Sequence, residues 1–84
     1  MLTSEQVRAA RALIRWEQKD LAEASGVSLA SIRRLETQEG PLAAQTRTVA
    51  ALVSAFEAKG LTFDLTAGDG PGVRLMRQQY AEGD

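Results

Sequence analysis

Apolar side chains recur at two different periods along the chain, and the change of period marks its organisation. In the first segment Val7, Ala10 and Ile14, with Leu13 beside them, keep helical spacing, so that stripe is expected to face a core. The helix is predicted to begin at Thr3 or Ser4, where a hydroxyl can accept from free amides. Gln6 stands three residues beyond Thr3, in capping-box register. WEQKDLAEASG reads as a short second helix that stops at Gly26, where no side chain opposes a left-handed turn. Ser28 can cap a third helix, with Leu29, Ile32 and Leu35 as its apolar contacts.

The segment TQEGPLAAQ, with Gly40 next to Pro41, is a connector. Beyond it Val49, Leu52, Val53 and Phe56 form the strongest amphipathic pattern in the chain, and Lys59-Gly60 supplies a terminal cation and a glycine stop. The period then falls to two. Leu61, Phe63 and Leu65 alternate with Thr62, Asp64 and Thr66, and Val73 and Leu75 alternate with Arg74 and Met76, across the turn-rich AGDGPG. Residues 61–76 are therefore predicted to be a β-hairpin and residues 77–84 a polar tail. The expected fold is mainly α, four helices over residues 1–60 followed by the hairpin. The link around Gly26 is so short that the second and third helices must cross sharply, as in a helix-turn-helix.

Composition removes most chemistry. The 84 residues include no cysteine and no histidine, which excludes disulfides, zinc–thiolate sites and histidine-based acid/base or nucleophile pairs, so no enzyme, metal or cofactor is expected. GDGPG neither opens a helix nor has a nearby lysine, so it is expected to be a turn and not a phosphate-binding loop. No secretion signal and no membrane-length apolar run is visible, which points to a cytoplasmic protein. The net charge of −1 gives no sign of nucleic-acid binding, so only local clustering could matter. One such cluster is the stripe Arg8, Arg11 and Arg15 on the first helix; the other is Arg33-Arg34 on the third. Trp16 is expected to pack over the junction of the first two helices and not to stack on a base.

The stretch QKDLAEASGVSLASIRRLE resembles the helix-turn-helix of the phage-repressor/Cro-like family, also called the XRE family. The matched positions are Gln18, Leu21, Ala22, Gly26, Val27, Ser28, Ile32, Leu35 and Glu36. On physical grounds Leu21, Ala22, Val27, Ile32 and Leu35 face inward and set the angle between the helices. The outer face of the third helix, about residues 28–36, is then left with Ser28, Leu29, Ala30, Ser31, Arg33, Arg34 and Thr37. Short side chains let such a helix enter a major groove, where arginine can donate two parallel hydrogen bonds to guanine.

The resemblance implies a bacterial or phage regulator that binds double-stranded DNA as a homodimer, repression being expected over activation. It implies base contacts from Leu29, Ala30, Arg33 and Arg34 and backbone contacts from Gln18, Ser28 and Thr37, with Lys19 and Ser31 as further backbone candidates. It also implies a structural ion pair between Arg11 and Glu36. Glu17 departs from the family's usual hydroxyl cap and would repel a phosphate; Leu29 and Ala30 can offer bases only apolar contact, such as to thymine methyls. A lone hairpin is marginal in water, so Leu61, Phe63, Leu65, Val73 and Leu75 are expected to pack on a helix or meet a second copy. A different reading makes the chain a protein-interaction module, such as an antitoxin or anti-activator, whose hairpin grips a partner protein.

Overall fold

The computed structural model describes residues 1–65 and 70–76. It contains four helices followed by two strands: α1 (Ser4–Leu13), α2 (Gln18–Ser25), α3 (Leu29–Glu36), α4 (Thr46–Glu57), β1 (Leu61–Asp64) and β2 (Gly72–Leu75). The strands pair antiparallel, with Leu61 opposite Leu75, Phe63 opposite Val73 and Asp64 opposite Gly72. Part of the AGDGPG turn and all of the polar tail lie outside the described residues.

Local chemistry accounts for where each helix begins and ends. Thr3 accepts the Gln6 amide at 3.1 Å while the Gln6 side chain accepts the Thr3 amide at 2.9 Å, so the capping box at the start of α1 is complete. At its far end the Trp16 amide donates to the Arg11 carbonyl (2.9 Å) and the Arg15 amide to that of Ala12 (3.2 Å). That pair of bonds is a Schellman closure, and it requires a left-handed residue. Arg15 supplies it, at φ +59°. The α2 stop is the expected one: Gly26, at φ +79°, donates to the Ala22 carbonyl at 2.9 Å. Ser28 then accepts the Ser31 amide at 3.1 Å and starts α3.

The four helices and the hairpin share one core of Leu2, Val7, Ala10, Leu21, Ile32, Leu35, Leu52, Ala55, Phe56 and Leu61. Phe56 lies at its centre, with the rings of Trp16 and Phe63 each 5.7 Å away, centroid to centroid. Trp16 is half-buried against α4, and the Lys59 ammonium sits 5.9 Å over its ring. Leu13 does not join the stripe beside it. It is 44% exposed, because it points about 100° round the helix from Ile14.

Two features of the packing have no periodic signature. The connector between α3 and α4 is tied to the N-terminal segment: the Ser4 amide donates to the Gly40 carbonyl (2.9 Å) and Leu42 to Leu2 (3.0 Å), around a bridge between Thr3 and Pro41. Gln6, besides capping α1, donates its side-chain amide to the carbonyls of Asp64 (2.9 Å) and Gly72 (2.8 Å). Those residues face each other across the hairpin, so one buried amide fastens both strands to α1.

The hairpin therefore closes the core from within the chain, its apolar side packed on the helices as the first of the two expected arrangements has it. Leu61 is fully buried, while Phe63, Val73 and Leu75 pack partly buried against the same core. Leu65, 41% exposed, is the one member of that set turned to solvent. Among the described residues no helix is long and apolar enough to cross a membrane.

Candidate nucleic-acid interface

Helix α3 has two sides of different character. Ile32, Leu35 and Glu36 are buried, whereas Ala30, Arg33 and Arg34 are exposed and Leu29 and Ser31 half-exposed. The exposed set begins at the N-terminal turn, just beyond the sharp bend at Gly26.

The two adjacent arginines diverge into different surface grooves, as side chains about 100° apart on a helix must. Arg33 lines one groove with Arg11, Glu17, Gln18, Lys19 and Leu29, at the start of α2. Arg34 lines the other with Val27, Ser31, Ala43, Ala44, Gln45 and Thr48. The second groove includes residues that no local pattern marks as functional. Ala43, Ala44, Gln45 and Thr48 reach this groove from the start of α4 and from the connector before it, which is tied to Leu2 and Ser4.

Beneath this face the Arg11 guanidinium meets the Glu36 carboxylate in a two-point pair, Nε to Oε2 and Nη2 to Oε1, both at 2.7 Å. Glu36 is nearly buried, with a side chain 4% exposed against 19% for Arg11. Parallel charge-assisted bonds of this kind are strong and fix orientation as well as distance. The third donor of Arg11, Nη1, reaches the Trp16 carbonyl at 3.0 Å and so supports the turn into α2. Both side chains are engaged within the fold. Arg8 acts in a similar way. Its Nη1 donates to the Glu36 carbonyl at 2.6 Å and to the Ser4 hydroxyl, satisfying the C-terminal end of α3.

Several residues expected to meet a nucleic-acid backbone already hold partners inside the chain. Gln18 donates one amide hydrogen to Glu36 Oε1 at 3.0 Å, which leaves its second hydrogen for any ligand. Thr37 donates its only hydroxyl hydrogen to the Arg34 carbonyl at 2.7 Å. A phosphate diester oxygen is an acceptor, so Thr37 in this rotamer has nothing to give it. Ser28 donates to the Ser31 hydroxyl at 2.9 Å, so the two serines hold one uncommitted hydrogen between them, on Ser31. Lys19 is exposed and makes no hydrogen bond or ion pair among the described residues.

Glu17 precedes α2 in extended conformation, and its amide donates to Asp20 Oδ2 at 2.8 Å. The two carboxylates suit the positive end of the helix. Glu17 also puts a negative charge into the groove of Lys19 and Arg33.

No protein-family model and no curated protein matches the chain.

Proposed function

We propose that the chain is a sequence-specific duplex-DNA-binding regulator of transcription, a repressor that acts as a homodimer in the cytoplasm of a bacterial or phage-infected cell. The observation that carries this reading is the surface of α3. Small side chains and two arginines are left uncovered at the front of a helix whose back is clamped by Arg11 and Glu36. A helix held this way can enter a major groove as a rigid body, its N-terminal residues meeting base edges. Arg34 and Arg33 are the polar readers, and Leu29 and Ala30 offer apolar contact to thymine methyls. Gln18, Lys19 and Ser31 keep donors for the flanking phosphates.

So small a reading surface distinguishes few base pairs, which is the reason for a pair of copies. Two α3 helices would lie about 34 Å apart, one turn of the duplex, on a two-fold related site. Selection of bound sequences from a random duplex pool tests the reading: enrichment of a palindromic site supports it, and absence of any retained duplex at low salt removes it. Light scattering across a concentration range, with and without the selected site, tests the dimer. A monomer under all those conditions would refute that part.

A further inference from the structure

We infer that Arg15 is a phosphate-binding side chain held at the α1–α2 turn, a reading that rests on the proposed duplex-DNA binding and extends it beyond α3. The first observation is conformational. Arg15 is the sole non-glycine residue with positive φ among the described residues, at +59°, whereas Gly26, Gly40, Gly60 and Gly70 fill the other such positions. A left-handed backbone sets the Cβ of an L-residue against its own carbonyl, and glycine avoids that penalty. The fold alone would be served better by glycine here, and side chains kept in disfavoured backbone conformations cluster at functional sites.

The second observation separates Arg15 from its own stripe. Arg8 and Arg11 are engaged by Ser4, Glu36 and Trp16. Arg15 is exposed, and it makes no side-chain hydrogen bond or ion pair among the described residues. It is thus a cation that the fold does not use.

Position supplies the third. Arg15 precedes Trp16, whose carbonyl is held by Arg11, and Glu17, which leads into α2. Arg11, Glu17, Gln18, Lys19, Leu29 and Arg33 line the groove beside α3, and the turn that Arg15 closes leads within two residues into the wall formed by Glu17, Gln18 and Lys19. A duplex seated on α3 would run its sugar-phosphate backbone past that wall. A long guanidinium there meets a phosphate oxygen, and its charge offsets the repulsion of Glu17.

The competing role is electrostatic support of the C-terminal end of α1, where a cation is also favourable. The two roles predict opposite signs for Arg15→Gly. If Arg15 serves phosphate, the variant gains stability, with a melting temperature higher by roughly 2–6 °C, yet binds DNA less well. The test measures anisotropy of a labelled mixed-sequence duplex over a salt series with wild type, Arg15→Gly, Arg15→Lys and Arg34→Ala. Loss of one phosphate contact lowers the slope of log K against log salt by about 0.9, equivalent to about eightfold in affinity at ~0.1 M salt. Arg15→Lys keeps the charge and retains the wild-type slope. An unchanged slope in Arg15→Gly, or a fall in its melting temperature, overturns the inference. If wild type itself fails to bind any duplex at low salt, the DNA-binding reading falls and Arg15 with it. If wild type binds and Arg34→Ala weakens it while Arg15→Gly does not, only the role of Arg15 is lost.

Discussion

Arg11 on α1 and Arg34 on α3 are the same side chain on neighbouring helices, and their surroundings give them opposite uses. Arg11 is met by a carboxylate from α3 and a carbonyl from the α1–α2 turn, all three of its contacts between 2.7 and 3.0 Å. Arg34 is exposed at the edge of a groove lined mainly by alanines and small polar side chains. A positive charge on a helix is therefore not evidence of a nucleic-acid contact until its acceptors within the chain are known. Here the first helix uses its cations to orient the third, and the third leaves its own uncovered.

The largest effect that would break this contrast is on stability. Arg11→Ala leaves the Glu36 carboxylate buried without its counter-ion, and removing one partner of a buried pair costs about 3–5 kcal/mol. The partial exposure of Arg11 puts the expectation near the lower figure. That is a large share of the about 5–15 kcal/mol available to a native domain, so urea denaturation should show a strongly lowered midpoint. A cost below about 1 kcal/mol would mean that the pair is incidental.

The hairpin offers a neutral counterpart to the ion pair. Gln6→Leu removes both donors to the Asp64 and Gly72 carbonyls and the acceptor for the Thr3 amide, and should destabilise by about 2–3 kcal/mol. Hydrogen exchange should locate the loss, with the strand amides exchanging faster while those of α2 and α3 are less affected. Uniform acceleration would show instead that Gln6 stabilises the domain as one unit.

Arg34→Ala is the reverse experiment. It should leave the denaturation midpoint within about 0.5 kcal/mol of wild type, while weakening binding to a selected duplex by about 1–3 kcal/mol and relaxing the preference at one base position. Equal weakening on every sequence would move Arg34 from base to phosphate. The smallest effect belongs to Glu17→Gln, which removes the negative charge from the Arg33 groove. It should raise duplex affinity roughly two- to threefold at low salt and less as salt is added. A fall in affinity would show that Glu17 matters more to α2 than to the ligand.

The helix boundaries are legible in the sequence because local chemistry sets them: Thr3 with Gln6, Gly26, and Ser28 each act within four residues of their own position. The alternation at Leu61, Phe63, Val73 and Leu75 likewise reveals the strands. It does not reveal what covers their apolar face, since a period of two defines two faces and no partner. The second bonds of Gln6, 58 and 66 residues away in sequence, have no local signal. Thr37 escapes sequence reading for a related reason: a hydroxyl at a helix end can turn to a carbonyl of its own last turn as readily as to a ligand. At the candidate site the exposed face of α3 follows from helical periodicity. The groove wall contributed by Ala43 to Thr48 does not, because it depends on the connector being tied to the N-terminal segment.

We propose that the exposed side of α3, and not the hairpin, meets duplex DNA. Titrating a mixed-sequence duplex into isotope-labelled protein at low salt, and following the amide resonances, tests it directly. The largest shifts are predicted at Leu29, Ala30, Arg33 and Arg34, with smaller ones at Gln18 and Lys19 and at 43–48, and little change in β1 and β2. Shifts confined to the strands, or none anywhere, would contradict it.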